Sequence, residues 1–498
     1  MFTCNLDPKS KVPLYQQLYE YIQNSINNGE LKAEEKLPSK RKLSQHLKIS
    51  VITIENAYEQ LITEGYIYSK PQKGFYVTDI DNTSPIKAPV HNEFQPVIPE
   101  KTLPYEFRTN SADINSFPFS TWAALMREVL RDQDKKLLEK GNPKGLYTLR
   151  REIAIYLKAY RNISVSADQI IVGAGSEYLI NIILQLLGKN RIYAVENPGY
   201  HKIAKIMEAN GIEPKYIPLN DDGINMNELI NSKANVLHIT PSHHFPLGIV
   251  TPVKKRNEIL NWAYNTDSYI IEDDYDSEFR YTGRPVPALQ SLDKGSKVIY
   301  LNTFAKNIAP SLRISYMVLP ENLAEKYQKE FSFYSNTVSS FEQYTLSKFM
   351  AKGNFERYIN KMRLIYKQRL DAIINSINNC SLKDFVTVKG EKTGLHILLE
   401  VNNGMTEKEL VDKARENGIL LTGMSQFFHE GVHKGKPTVI LGYSGIDTVN
   451  IEKAFKILEQ IWKYAVDKFD SLCNLSRLCH LLLTSSRITE HNIRSNIS

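Results

Sequence analysis

A lysine at the end of a predicted strand has the most specific chemistry in this sequence. The apolar run Val298–Thr303 predicts a strand, and Lys306 follows it directly. A primary amine there can form a Schiff base with an aldehyde, while Thr303 and Arg313 can bind a phosphate through a hydroxyl and a guanidinium group. Because an isolated lysine is usually a surface charge, this interpretation depends on the residues that accompany it.

Acidic residues follow a second apolar run, Tyr269–Ile271, in the segment Asp273, Asp274, Tyr275. Ligands of α/β sheets bind at the carboxyl ends of the strands, so these side chains are expected at the same edge as the lysine. A buried carboxylate at Asp273 can keep a pyridine nitrogen protonated, and Tyr275 can reach a ring oxygen. A magnesium site and helix-capping acids are the two other interpretations of the acidic pair.

Two turns offer further ligand contacts. Gly175 and Ser176 lie between a predicted strand and a predicted helix, where free backbone N–H groups and the helix dipole favour an anion. Tyr200 follows another strand and can stack on a flat heterocycle. Each motif alone is weak, but strand and helix patterns alternate throughout this part of the chain, which predicts an α/β fold with a mostly parallel sheet.

These four segments, in this order, resemble the fold-type I, aspartate-aminotransferase-like enzymes that use pyridoxal 5′-phosphate (PLP). The resemblance implies a covalent bond from Lys306 to the cofactor, with Asp273 at the pyridine nitrogen, Tyr275 at the ring oxygen and Tyr200 stacked on the ring. The phosphate contacts that it implies are Gly175, Ser176, Thr303 and Arg313.

The first part of the sequence predicts two short helices joined by a tight turn. Ser39 and Ser50 are placed to cap these helices, and Gly65 ends the second one. Two short strands around a polar turn follow, with Gly74 at the start of the second strand. This order is typical of a winged helix-turn-helix.

Five basic residues and no acidic residue lie between positions 36 and 54, so this surface can neutralise phosphates. Charge alone equally fits solvated lysines on an ordinary three-helix module. The segment from Leu37 to Gly74 resembles the GntR-type winged helix, and the resemblance implies that Arg41, Ser50, Thr53 and Gly74 contact double-stranded operator DNA.

A GntR-like head joined to an aminotransferase-like body resembles the MocR/GabR regulators. This resemblance implies a PLP-dependent transcription regulator that senses a small amine, an amino acid or PLP itself, and that acts as a homodimer. The alternatives are an active aminotransferase with a DNA-binding head, and a scaffold that binds a ligand without PLP. Three departures bear on whether the large domain turns over substrate. No arginine lies at 437–443, Phe245 stands where the enzymes have an asparagine, and Lys202 stands where a relative that senses an amino acid has a carboxylate-binding arginine.

Composition predicts the domain boundaries and the location of the protein in the cell. Residues 1–78 form the predicted DNA-binding domain, 79–104 a proline-rich linker, 105–463 the PLP-binding domain, and 464–498 a tail of unassigned role. Four cysteines at irregular spacing predict neither a disulfide framework nor a metal site. No run is long and apolar enough for a membrane helix, and the sequence predicts a cytoplasmic protein. The net charge of +7 is too small to identify a partner.

Overall fold

The computed structural model describes Cys4 and residues 6–80, 102–109, 111–132, 135–281, 283 and 286–463. The chain forms two compact units, Met1–Glu100 and Lys101–Ser498. Most of the predicted linker and all of the predicted tail lie outside the described residues, and the three boundaries between the predicted segments stay predictions. In the described part of the chain no helix is long and apolar enough to cross a membrane.

The first unit is a winged helix-turn-helix. Its elements are α1 (Leu14–Asn27), α2 (Lys40–Leu47), α3 (Val51–Thr63), β1 (Ile67–Lys70) and β2 (Gly74–Val77), and the two strands pair antiparallel. Ser39 and Ser50 cap α2 and α3, as the sequence predicts, by accepting hydrogen bonds from backbone N–H groups three residues on. Lys48 ends α2 in the left-handed conformation and so makes the turn between the helices tight.

A small apolar core holds this unit together. The buried faces of α1, α2, α3 and the wing meet around Leu18, Leu43, Tyr58 and Val77. The Tyr58 hydroxyl donates a 2.9 Å hydrogen bond to the carbonyl oxygen of Pro38. Burial of each large apolar side chain stabilises the unit by about 2 kcal/mol, and this fixes α3 against the other helices.

The second unit is larger and contains the remaining elements. Its strands are β3 (Tyr105–Glu106), β4 (Ile170–Gly173), β5 (Tyr193–Asn197), β6 (Lys215–Asn220), β7 (Gly223–Ile224), β8 (Val236–Ile239), β9 (Tyr269–Asp273), β10 (Val298–Thr303), β11 (Ser315–Val318), β12 (Val386–Lys389), β13 (His396–Val401), β14 (Ile419–Leu420), β15 (Thr422–Gly423) and β16 (Thr438–Gly442). Its helices are α4 (Phe119–Asp132), α5 (Tyr147–Arg161), α6 (Ser176–Leu187), α7 (His201–Ala209), α8 (Met226–Asn231), α9 (Val253–Asn265), α10 (Phe304–Asn307), α11 (Glu321–Glu330), α12 (Ser340–Ala351), α13 (Asn354–Asn378) and α14 (Glu407–Glu416). Residues 448–463 are also helical.

An eight-stranded sheet organises this unit in the order β4-β11-β10-β9-β8-β5-β6-β7. The strands β10, β9, β8, β5 and β6 run parallel, and β11 lies antiparallel between β10 and β4. The central strands are almost wholly buried, as expected for a sheet covered on both faces. The α/β fold with a mostly parallel sheet is therefore confirmed.

A second, antiparallel sheet of four strands follows in the order β12-β13-β16-β15. The parallel strands of the eight-stranded sheet, and not the four-stranded sheet, bring the predicted site residues to one edge. The carboxyl ends of β4, β5, β8, β9 and β10 lie at one edge, and the loops after these strands meet there.

Candidate functional site

A cavity of about 230 Å³ lies at the carboxyl edge of the main sheet. It brings together side chains from strands that are far apart in the sequence. The predicted site residues that line it are Ser176, Tyr200, Asp273, Tyr275, Thr303, Lys306 and Arg313. Gly175 immediately precedes Ser176 and lies against the Arg313 side chain.

Lys306 enters the cavity from the short helix α10, directly after β10. Its Nζ donates a 2.9 Å hydrogen bond to the carbonyl oxygen of Thr109. Burial lowers the pKa of Lys306 to about 8, although the charge of Asp276 acts in the opposite direction. A substantial fraction of this amine is therefore neutral near pH 8, the form that attacks an aldehyde.

Asp273 ends β9 and faces the cavity, with a histidine of the neighbouring strand beside it. The Nε2 atom of buried His238 lies 3.5 Å from Oδ2 of Asp273. Parallel pairing of β8 with β9 produces this approach. The sequence analysis missed His238, since it lies inside an apolar strand whose register with β9 one sequence does not reveal.

Asp274 has a different environment from Asp273. Its Oδ2 is 2.8 Å from Nη2 of Arg161 and accepts a 2.5 Å hydrogen bond from the Tyr300 hydroxyl. Both charged side chains are buried, so each requires the other as a counter-ion. Asp274 therefore serves the framework behind the cavity, which does not support a magnesium site built on the Asp273–Asp274 pair.

Tyr275 also lines the cavity, and a histidine lies next to its hydroxyl group. The Tyr275 hydroxyl is 3.3 Å from Nδ1 of His243, which lies 2.9 Å from Oδ2 of Asp276. Burial raises the pKa of Tyr275 well above its usual value, so the phenol stays protonated and able to donate. His243, and not the adjacent His244, is therefore the histidine in contact with the Tyr275 hydroxyl.

The neighbouring His244 faces a buried carboxylate instead. Its Nε2 lies 3.6 Å from Oε2 of Glu196, and that oxygen accepts hydrogen bonds from the backbone N–H and hydroxyl of Thr240. Burial and the nearby His243 lower the pKa of His244 to about 3, and burial raises the pKa of Glu196 to about 7. This pair links β5 to the loop after β8.

Aromatic side chains form one wall of the cavity. Tyr200 lies at the start of α7, with its ring centroid 5.9 Å from that of Phe245 in an edge-to-face arrangement. Phe245 in turn packs edge-to-face on Phe427 at 4.9 Å. Such contacts fix the rings and leave a flat, apolar surface for a heterocycle.

Cationic side chains and a helix N-terminus form another part of the cavity. Gly175 precedes α6 with φ of 99°, and a Cβ atom there would lie 2.2 Å from Nη2 of Arg313, so the close approach requires glycine. Glu177 accepts from Arg313 at 2.6 Å and from Lys202 at 2.5 Å. Partial burial alone would raise the pKa of Glu177, but hydrogen bonds from Lys202, its own backbone and Arg313 lower it to about 2.

Thr303 lies at the end of β10 and lines the same cavity. Its Oγ1 accepts hydrogen bonds from the backbone N–H of Ala305 at 3.1 Å and from the Ser315 hydroxyl at 2.8 Å. The side chain thus caps α10, the helix that bears Lys306. A small hydroxyl residue suits the end of β10 because its side chain can cap the helix that follows directly.

Among the described residues, one group of three side chains has atoms that could hold a metal ion. Its members are His243, Asp276 and His396. Two of its members are already hydrogen bonded to each other, and His396 Nε2 lies 2.9 Å from the carbonyl oxygen of Pro246. These contacts engage one atom of each side chain in hydrogen bonds, while the buried Nε2 atom of His243 has no hydrogen-bond partner among the described residues.

The predicted DNA-contacting residues lie on the helix-turn-helix and the wing of the first unit. Arg41 is exposed in the first turn of α2, Ser50 caps α3, and the Thr53 hydroxyl is 2.8 Å from that of Ser50. Gly74 begins β2 with φ of 104°, in the left-handed region. Lys40 is paired with Glu55 at 2.6 Å, a contact between α2 and α3 that the charge pattern did not predict.

Comparisons with known proteins agree with both halves of this description. Residues 14–77 match the family of bacterial regulatory proteins, gntR family, and residues 110–439 match aminotransferase class I and II. The uncharacterized HTH-type transcriptional regulator YdeL of Bacillus subtilis is 38% identical over 457 residues, covering 91% of this chain and 97% of that protein. The probable rhizopine catabolism regulatory protein MocR of Rhizobium meliloti is 31% identical, with 91% and 94% covered. The chain belongs to the MocR-type transcription regulators.

A solved structure supports the fold of the large unit of this regulator. The kynurenine aminotransferase of Pyrococcus horikoshii, in complex with PMP, superposes with a TM-score of 0.63 at 24% identity, covering 73% of this chain and 91% of that one. Membership of aminotransferase class I and II makes PLP the cofactor of the large unit. The residues fit this group, since the cavity offers an amine, a carboxylate, an aromatic wall and a side chain-free approach at Gly175 beside Arg313.

Proposed function

We propose that this regulator uses its PLP-containing large unit to sense a small amine, an amino acid or PLP, and that the ligand changes how the GntR unit binds its operator. The observation that carries the proposal is one cavity lined by Lys306, Asp273, Tyr275 and Arg313, in a chain that also has a helix-turn-helix. A ligand can shift DNA binding only if it binds two arrangements of the protein with different affinity.

The proposed roles follow the chemistry of each side chain. PLP supplies an aldehyde and an electron-accepting ring when it is bound. Lys306 holds the aldehyde carbon covalently, with its low pKa favouring the neutral amine. Asp273, supported by His238 at 3.5 Å, keeps the ring nitrogen protonated, and Tyr275 donates to the ring oxygen.

The remaining cavity residues hold the cofactor in place in this proposal. Tyr200 would stack on the ring, and its edge-to-face contact with Phe245 holds the Tyr200 side chain in place. Gly175, Ser176, Thr303 and Arg313 bind the phosphate, for which the N-terminus of α6 provides backbone donors and a favourable dipole. Arg41, Ser50, Thr53 and Gly74 contact the operator.

Sensing is favoured over sustained transamination by the lack of a carboxylate clamp. The late strand β16 runs Thr-Val-Ile-Leu-Gly and contains no arginine. Lys202, the other cation beside the cavity, is paired with Glu177. The amino-acid carboxylate that a transaminase holds by a bidentate arginine contact has no such partner on these elements.

We also propose that the regulator is a cytoplasmic homodimer. Operator DNA requires the first unit to act where the chromosome lies. Fold-type I cofactor sites are generally completed by a second chain, and paired DNA-binding units match operators with two half-sites. Sedimentation of the PLP-loaded full chain tests this assembly, and a monomer that binds PLP and DNA fully would contradict it.

The central experiment is a DNA-binding titration of the full chain, with and without PLP and with a panel of small amines and amino acids. A ligand-dependent change in operator affinity supports sensing. Keto-acid production with amino donors is measured in parallel, and sustained turnover without any effect on DNA binding would favour the aminotransferase alternative. The Lys202→Arg variant sharpens the test, since a guanidinium group at this position can form a bidentate contact and should strengthen any response to carboxylate-bearing amines.

A further inference from the structure

The recognition helix α3 has no positively charged residue. Its sequence, Val51–Thr63, contains neither lysine nor arginine, and its first turn exposes two large apolar side chains instead. Val51 is 41% exposed and Ile52 is 67% exposed. Exposed aliphatic residues at this place need a reason, because the second helix of a helix-turn-helix contacts base edges through its N-terminal residues.

The burial pattern directs these two side chains away from the core of their own unit. The face of α3 that packs inward carries Ile54, Ala57 and Tyr58, all fully buried. Val51 and Ile52 are therefore exposed in the first turn of α3, outside the buried core of the DNA-binding unit.

Three of the polar residues in these turns have partners within the protein, whereas Asn56 is exposed. Glu55 is the residue there that could accept from cytosine, but its carboxylate is held by Lys40 at 2.6 Å. The hydroxyls of Ser50 and Thr53 lie 2.8 Å apart, and Ser50 also caps the helix. The bidentate arginine contact to guanine cannot come from α3.

We propose that Val51 and Ile52 recognise thymine in the operator through its 5-methyl group. This inference rests on the proposed DNA-binding role of the first unit and names what that unit reads. The thymine methyl is the apolar group that the major groove presents, and aliphatic side chains are its natural contacts. The basic residues around α2 neutralise phosphates and give affinity without sequence information.

The test begins with selection of binding sites by the full chain from a random double-stranded library. Each thymine of the selected site is then replaced by uracil, which lacks only the methyl group. For wild-type protein we expect affinity to fall about fourfold at each contacted thymine, the effect of one buried methyl group. Because the change is made in the DNA, this measurement does not depend on any variant folding.

Protein variants identify the side chains responsible. The double variant Val51→Ala, Ile52→Ala should bind the thymine and uracil sites equally. Ile62→Ala is the matched control, an exposed isoleucine at the far end of the same helix, and it should keep the wild-type preference. Uracil sites bound as tightly as thymine sites by the wild type, or a preference that survives in the double variant, would overturn the proposal. Failure to select any site would instead overturn the DNA-binding role on which it rests.

Discussion

The two units of this regulator hold their functional side chains in opposite environments. In the large unit, burial lowers the pKa of Lys306, and hydrogen bonds from Lys202 and Arg313 lower the pKa of partly buried Glu177. In the DNA-binding unit, Arg41 and the first turn of α3 are exposed to solvent. Removal of water from a cavity adjusts the reactive groups before a small ligand binds. An exposed DNA-binding surface instead stays hydrated, and water and counterions are released only when a duplex binds.

The strongest test of this contrast is removal of the amine from the cavity. We expect Lys306→Ala to lose the visible absorbance of the lysine-bound cofactor completely, because no other amine is proposed to hold the aldehyde. Absorption spectra after desalting measure this loss. Lys205→Ala, at an exposed lysine of α7, is the control and should stay yellow. An unchanged spectrum for Lys306→Ala would remove the basis of the cofactor assignment.

Neutralising the Asp273 carboxylate, which lies beside His238, should have the next largest effect. Asp273→Asn replaces a charge-assisted contact to the protonated ring nitrogen by a neutral one, and we expect PLP affinity to fall about tenfold to a hundredfold. Fluorescence titration of cofactor-free protein measures the change. Asp412→Asn, at a surface pair with Lys408, should bind PLP as the wild type does. Equal affinities of the two variants would exclude the proposed role of Asp273.

The low pKa of Lys306 predicts a pH dependence of cofactor capture. The neutral amine is the reactive form, and its fraction rises as pH increases through about 8. The rate at which cofactor-free protein captures PLP should therefore rise about tenfold between roughly pH 7 and pH 9 and then level off. Stopped-flow absorbance measures the rate, with a free lysine derivative as the reference. A rate that keeps climbing above pH 9, as for an ordinary lysine, contradicts the desolvated environment.

The smallest expected effect is that of a substitution in the exposed DNA-binding unit. Arg41→Ala should weaken operator binding about fivefold and lower the slope of affinity against salt by about one ion, since a single phosphate contact is lost. Its cofactor spectrum should not change. Mobility-shift titrations at several salt concentrations measure both quantities, with Arg131→Ala, an exposed arginine of the large unit, as the charge-matched control. The placement of Arg41 fails if both variants bind DNA alike.

Local sequence signals were enough to predict two helices of the DNA-binding unit and the strand ends that carry the predicted site residues. Serine caps and a terminal glycine predicted α2 and α3, and apolar runs followed by Asp273 and Lys306 predicted two strand ends at one edge of a sheet. These signals are short-range, because a cap or a strand end depends on a few neighbouring residues.

Contacts between distant residues were not predictable from one sequence. The Arg161–Asp274 ion pair, the approach of His238 to Asp273, and the hydrogen bond from Lys306 to Thr109 join separate elements. Each depends on strand order and register, which periodicity does not specify. The contacts of Glu177 with Lys202 and Arg313 show the same limit, since they also join separate elements.

The bridge from Glu177 to Lys202 and Arg313 has a consequence for how the large unit loads its cofactor. In the proposed roles Arg313 binds the phosphate of PLP, so this phosphate would compete with the Glu177 carboxylate for the guanidinium group. Lys202 contacts the same carboxylate and would remain as its partner. Loading of PLP would then exchange one anion for another beside Arg313.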